Sequence, residues 1–248
     1  RLFEAEESLR EALAIYKSYQ FTEDQMIFFY RWVSDLYFAQ GRYNEALRTA
    51  QRVRDVQLKS GLSDSTAQSV WTRLRINKSL VAQGRWKEAL HEFESMGVPK
   101  AVAEAEYEQF AAAVAVDRNL LRKSNIGGER MNDDDIERVK AIARMVDLRG
   151  LTWLNNGRVV EASNIFKGSL DWTLKNFGPE HYFTAFKRGM YALALAQDKS
   201  QQPLALTELE QSVRILSAPD ALSSQFEESP FRLALRQEIY KTYIRLLA

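Results

Sequence analysis

A four-residue corner recurs three times along the chain and limits what it can fold into more than any other feature. It reads Gln40-Gly41-Arg42-Tyr43, then Gln83-Gly84-Arg85-Trp86, then Asn156-Gly157-Arg158-Val159. In each copy a Glu-Ala pair follows at the same offset, as Glu45-Ala46, Glu88-Ala89 and Glu161-Ala162. Amphipathic helical patterns flank every copy. The glycine can adopt a left-handed backbone conformation at little cost, so it ends one helix and lets the chain reverse. The bulky residue anchors the second helix on the first, and the alanine lets two helix axes come close. Three copies of such a unit predict a repeat architecture built from helical hairpins.

Few breakers interrupt these patterns: 11 glycines and 5 prolines in 248 residues. With long amphipathic runs between them, this predicts an all-α chain. No apolar run approaches the ~20 residues of a spanning helix, so no membrane segment is expected, and Arg1-Leu2-Phe3-Glu4 is no signal peptide. The first residue is not methionine and falls within a helical pattern, so the chain reads as a segment of a longer protein. A cytoplasmic location is expected. The 34 basic and 33 acidic residues nearly cancel, which gives no general drive toward nucleic acid or anionic membrane. There is no cysteine, so disulfides, thiolate metal sites and a cysteine nucleophile are excluded within this chain.

Taken in order, residues 2–19 read as the second helix of a partial repeat. Glu11-Ala12-Leu13 matches Glu45-Ala46-Leu47, and Ala12 and Ala46 lie 34 residues apart. Hairpins are expected at residues 25–60, 66–96, 133–177 and 182–216. Gly41 and Gly84 are separated by 43 residues, so the helices are longer than in a minimal repeat. Residues 100–123 form an irregular, alanine-rich helical insert. Gly84 and Gly157 are 73 residues apart, and one added helix would reverse the up-down order. The insert must therefore be broken in two or pack out of line. The fourth corner, Asp198-Lys199-Ser200-Gln201, lacks the glycine. Residues 225–248 form a terminal capping helix, with Leu233, Ile239, Tyr243 and Leu246 expected to cover the end of the stack.

The corners and the Glu-Ala offsets carry the tetratricopeptide repeat (TPR) pattern. The 43-residue spacing and Phe177-Gly178-Pro179-Glu180-His181 resemble the long repeats of kinesin light chains. Three stretches, Ala82 to Met96, Phe177 to Gln197 followed by Leu204 to Leu216, and Arg236 to Ala248, resemble the TPR regions that precede CHAT domains, caspase-like peptidases, in bacterial proteins. That resemblance implies a right-handed superhelical stack of antiparallel helix hairpins, spanning residues 1–248 as one solenoid fragment. It also implies a His-Cys peptidase domain beyond Ala248 that this array would regulate.

In such a stack the first helix of each hairpin lines the concave wall. The expected groove residues are Phe28, Arg31, Asp35 and Phe38 from the first hairpin and Trp71, Leu74 and Lys78 from the second. The third adds Arg144, Asp147, Leu151 and Asn155, and the fourth Phe186 and Leu193. This mixture of aromatic, aliphatic and charged groups suits an extended peptide or a helix with a few apolar anchors. The competing reading is that these side chains pack against neighbouring helices. Tyr30, Tyr37, Tyr43, Trp86, Trp153 and Phe166 are expected in the core.

No catalytic or cofactor set emerges. His91 and His181 are the only histidines, and neither has partners at ligand or triad spacing. Asp133-Asp134-Asp135 lacks the further ligands of a calcium loop and suits a helix N-terminus. Gly127-Gly128 is followed by no Gly-Lys-Ser/Thr, so it is not a phosphate loop. Arg118, Arg122 and Lys123 read as a solvated face rather than a nucleic-acid site. The expected function is a protein-protein interaction scaffold without enzymatic activity, metal or cofactor. Its partner would be a protein or peptide ligand, or an adjacent domain. The alternative is a structural, self-associating helical module. Oligomeric state is left open.

Overall fold

The structure is a computed structural model that describes residues 2–63, 66–96, 125–126, 129–130, 146–218 and 230–248. These residues form ten α-helices, one short 3-10 turn and one two-residue antiparallel pair, Asn125–Ile126 with Glu129–Arg130. The helices are α1 (Leu2–Ser18), α2 (Ile27–Ala39), α3 (Tyr43–Lys59), α4 (Ala67–Ala82) and α5 (Trp86–Ser95). After the insert come α6 (Val146–Asn155), α7 (Val159–Phe177), α8 (Tyr182–Leu195), α9 (Gln202–Leu216) and α10 (Pro230–Leu247). Arg144, the acidic run at 133–135, the basic cluster at 118–123 and the helical insert all lie outside the described residues.

The three glycine corners share one backbone geometry. Gly41, Gly84 and Gly157 take φ of +76°, +68° and +79°, a region that a Cβ disfavours. The arginine after each glycine donates its backbone N–H back into the helix just ended, to the carbonyls of Tyr37, Leu80 and Trp153 at 2.9 to 3.0 Å. Its own carbonyl then accepts from Ala46, Ala89 or Ala162, which opens the next helix. The arginine side chain pairs with the glutamate three residues on: Arg42 with Glu45, Arg85 with Glu88, Arg158 with Glu161. All three alanines are completely buried.

Within the first hairpin the paired residues diverge evenly from the corner. Phe38 meets Tyr43 with ring centroids 5.2 Å apart, Ser34 Oγ donates to Ala46 O at 2.9 Å, and Arg52 lies over the Tyr30 ring. That progression makes α2 and α3 antiparallel. The fourth hairpin repeats it, with Ser212 Oγ donating to Ala185 O and Arg188 pairing with Glu208. Its corner needs no glycine, because Asp198 accepts from the Ser200 N–H and starts a 3-10 turn at Lys199–Gln201 that feeds α9.

Successive hairpins stack through a second use of the corner. Gln83 Nε2 donates to Tyr43 O at 3.2 Å, and Asn156 Nδ2 donates to Trp86 O at 3.0 Å. The amides before Gly84 and Gly157 thus tie their hairpins to the bulky residue of the hairpin before, while Gln40, before Gly41, donates to Glu6 of α1. The third hairpin sits directly on the second, with α6 packed on both α4 and α5, so the up-down order is kept across the insert. One core of buried side chains runs from Leu47 through Phe93 and Phe166 to Leu209 and Ile239.

Helix α10 does more than close the end of the stack. Its C-terminal half packs on α8 and α9, with Ile239 fully buried and Tyr243 and Leu246 against the core. Leu233, expected to help cover the end, is exposed. The N-terminal half of α10 instead reaches back across the first helices to the first hairpin, where Phe231 meets the Phe38 ring with centroids 5.9 Å apart.

Candidate functional site

The first helices of all four hairpins converge on one hollow. A cavity of about 400 Å³ is lined by Phe38 of α2, Leu74 and Lys78 of α4, Asp147 and Leu148 of α6, and Phe183, Phe186, Lys187 and Met190 of α8. Its remaining wall is Phe231, Arg232 and Leu235 of α10. A second cavity of about 690 Å³ continues along the same face and includes Leu151, Asn155 and Leu193 against the other side of α10. Of the residues expected in the groove, Phe38, Leu74, Lys78, Asp147, Leu151, Asn155, Phe186 and Leu193 therefore line these two adjoining cavities.

The others are placed differently. Phe28 stands exposed on α2, four residues before the equally exposed Trp32. Such spacing puts both rings on one helix face. Arg31 is buried, and its guanidinium donates to Gln68 O on the α4 side at 3.1 Å. Trp71 is half-buried and packs against the core rather than lining either cavity. Asn155 turns its amide onto its own helix, donating to Leu151 O.

The charged groove residues form rungs between neighbouring first helices. Asp35 of α2 takes Arg75 at 2.7 Å and Lys78 at 2.6 Å, both from α4. Asp147 of α6 takes Lys187 of α8. Burial alone would raise the Asp35 pKa, but the Lys78 ammonium and the Arg75 guanidinium outweigh it, so the carboxyl stays below its ordinary range. Burial pulls Lys78 below the ordinary lysine value although Asp35 opposes it. The carboxylate gains from the pairing, while the ammonium still bears a net desolvation cost. Burial, and then the Arg75 charge, bring the Arg31 pKa down to about 10, although the Asp35 carboxylate opposes them. Lys78 Nζ also lies 4.5 Å from the Phe38 ring centroid.

Outside the groove, a cavity of about 550 Å³ lies between α1 and the first hairpin and holds none of the expected groove residues. Among the described residues, no three His, Asp or Glu side chains gather as a metal site requires. His181 accepts the Phe183 N–H through Nδ1 at 3.2 Å and stacks on Phe177, a helix-capping role. No helix among the described residues is long and apolar enough to cross a membrane.

Sequence reasoning missed one buried charge cluster. Arg73, almost wholly enclosed, donates to the Glu92 carboxylate and to the carbonyls of Glu92 and Ser95, while Arg54 shares the same carboxylate. It locks α4 to α5 and to α3. The only sequence signal was an arginine on the apolar side of a helix pattern. Comparison with family models, with curated proteins and with solved structures found no match.

Proposed function

We propose that this chain is a protein-interaction scaffold of the tetratricopeptide type. In this reading it is a right-handed superhelical stack of hairpins that holds a helical or extended segment of a protein partner against its inner wall. The observation that carries it is the convergence of side chains from α2, α4, α6 and α8 on one continuous face, with apolar floors and charged rungs. A wall of this mixture offers anchoring pockets to a segment rather than a reaction centre to a substrate. In the setting that the family resemblance implies, a bacterial cytoplasm with a CHAT peptidase domain on the same polypeptide, capture of a ligand would hold or release that domain.

A peptide-display selection against the immobilised chain tests this. Enriched peptides should lose at least ~1.4 kcal/mol of binding, about tenfold, in Trp32→Ala or Lys78→Ala. Peptides that bind these variants as tightly as the native chain would overturn the groove. A second reading, docking of copies of the chain on one another, is favoured by the exposed Phe3 and Ile15 of α1 and Tyr19 just after it. Light scattering over a concentration range separates the two, since a strict monomer leaves only the groove.

A further inference from the structure

The groove described above already has an occupant, and its two halves are held unequally. From Ile239 onward α10 is seated: Ile239 is fully buried, Thr242 nearly so, and Tyr243 and Leu246 pack on the core. The seat is close. A Cβ added at Gly189 of α8 would fall 2.5 Å from Ile239 Cδ1, so the glycine is what lets the two helices approach. From Pro230 to Glu238 no residue of the helix is buried, although Phe231 and Leu235 touch the core; the cavity of about 400 Å³ flanks this half alone, while the cavity of about 690 Å³ runs on past Lys241 to Arg245.

What this looser half presents to the wall is specific. Phe231 stands edge-on to Phe38. The Arg232 guanidinium carbon lies 5.9 and 6.0 Å from the Phe183 and Phe186 ring centroids, within cation–π range. Leu235 points into both hollows. Opposite them, Asp147 Oδ1 is buried without a hydrogen-bond partner among the described residues, since Lys187 is held by Oδ2. A buried acceptor left open in this way favours an incoming donor.

We propose that the N-terminal half of α10 is a built-in ligand of the groove. The partner it stands in for is a protein helix that presents an aromatic, a basic and an aliphatic side chain at the spacing of Phe231, Arg232 and Leu235. The proposal rests on the groove reading above and gives it a partner class. The rings of Phe183 and Phe186 receive a cation on their faces, and the Phe38 ring receives the aromatic side chain edge-on. The basic group is selected by the ring faces, since Asp35 and Asp147 are already held by Arg75, Lys78 and Lys187. Local opening of a weakly packed half-helix costs less than global unfolding, so an external helix competes only with that opening.

The absence of native cysteine allows a direct test on the full chain. In a Leu74→Cys variant the new thiol lies on the cavity wall beneath α10, and a Leu209→Cys variant supplies a core control. Adding Phe231→Ala and Leu235→Ala should raise the maleimide labelling rate at position 74 about tenfold and leave position 209 unchanged, as local opening requires. A fluorescent peptide with the sequence of residues 230–248 should bind the chain carrying Phe231→Glu and Leu235→Glu, and the native chain at least tenfold more weakly. The same peptide with Arg232→Glu should lose about tenfold of that binding. An unchanged rate at position 74 removes the in-cis role, while groove peptides selected independently would still stand. Faster labelling with no peptide uptake by either chain would mean that the uncovered face is no docking site, which overturns the proposal and the groove reading together.

Discussion

The two ends of the inner wall carry similar side chains and meet opposite fates. On α2, Phe28 and Trp32 remain 61% and 67% exposed, and on α8, Phe186 and Leu193 are 7% and 8% exposed. Nothing in the helices themselves separates the cases, since each offers aromatic and aliphatic groups from a first-helix face. The difference is α10, which covers the fourth hairpin and reaches the corner of the first without extending along α2. A helical pattern therefore specifies which side chains share a face, while a segment elsewhere in the chain decides whether that face meets water.

The comparison is most exposed to refutation at Ile239. Truncating this fully buried side chain should cost about 2–5 kcal/mol, because the transfer term is joined by a cavity against Gly189 and Ser212. Urea unfolding of Ile239→Ala measures it. A loss below about 1 kcal/mol would mean that the covered end is not held by α10, and the contrast between the ends would fail.

Next in size is the ionic rung at the bare end. Asp35 serves two cations, whereas Asp147 serves Lys187. Asp35→Asn should cost about 1–2 kcal/mol at neutral pH, between the values for exposed and fully buried pairs. Asp147→Asn should cost less. The sign with pH follows from the lowered Asp35 pKa. Its contribution is complete above the unfolded carboxyl value of about 3.9 and is lost as pH falls through the lower folded value. Stability of the native chain should therefore fall through that acid window, and Asp35→Asn should flatten the fall. An acid limb unchanged by the substitution would show that this rung does not couple α2 to α4.

Much of the first three hairpins was legible in the sequence, for a local reason. Only glycine takes the φ of Gly41, Gly84 and Gly157 cheaply, and the alanines at Ala46, Ala89 and Ala162 mark where two axes approach. The job of the amides at Gln83 and Asn156 was not legible, because their acceptors, Tyr43 O and Trp86 O, lie 40 and 70 residues away. The recurrence of an amide at one offset was the available signal. The missing glycine near Ser200 was visible, but its substitute, the Asp198 cap, needed the backbone geometry. In the groove, residue types and faces could be read for Phe38, Lys78 and Asp147. Their enclosure by Phe231 and Leu235 could not, since the pattern of α10 says nothing about which hairpin it crosses.

The inter-hairpin amides give a smaller effect that applies across the wall. Gln83→Ala and Asn156→Ala each remove the hydrogen bond to the neighbouring hairpin's carbonyl together with one to their own helix, at Ser79 O and Thr152 O, and should each cost about 1 kcal/mol or somewhat more. Because each carbonyl also belongs to its own helix, the loss concerns how hairpins sit on one another. Hydrogen exchange should then quicken at the ends of α4 and α6 while α8 and α9 stay protected. Equal acceleration in all four helices would argue that the hairpins unfold as one unit and that these amides are not the joints between them.

The smallest effect on stability is expected where the wall is bare. Phe28 and Trp32 lose little solvent contact on folding, so Phe28→Ala and Trp32→Ala should each shift stability by no more than about 0.5 kcal/mol. The Arg31 guanidinium carbon sits 5.3 Å from the Phe28 ring centroid, which adds at most a weak cation–π contact at an exposed ring. A residue that contributes almost nothing to the fold and still presents a large aromatic surface has its energetic value elsewhere, in whatever covers it. The double variant should unfold in urea close to the native midpoint while losing peptides selected by the native chain. Should it unfold markedly earlier, the two rings belong to the core after all, and the ends of the groove differ less than their exposure indicates.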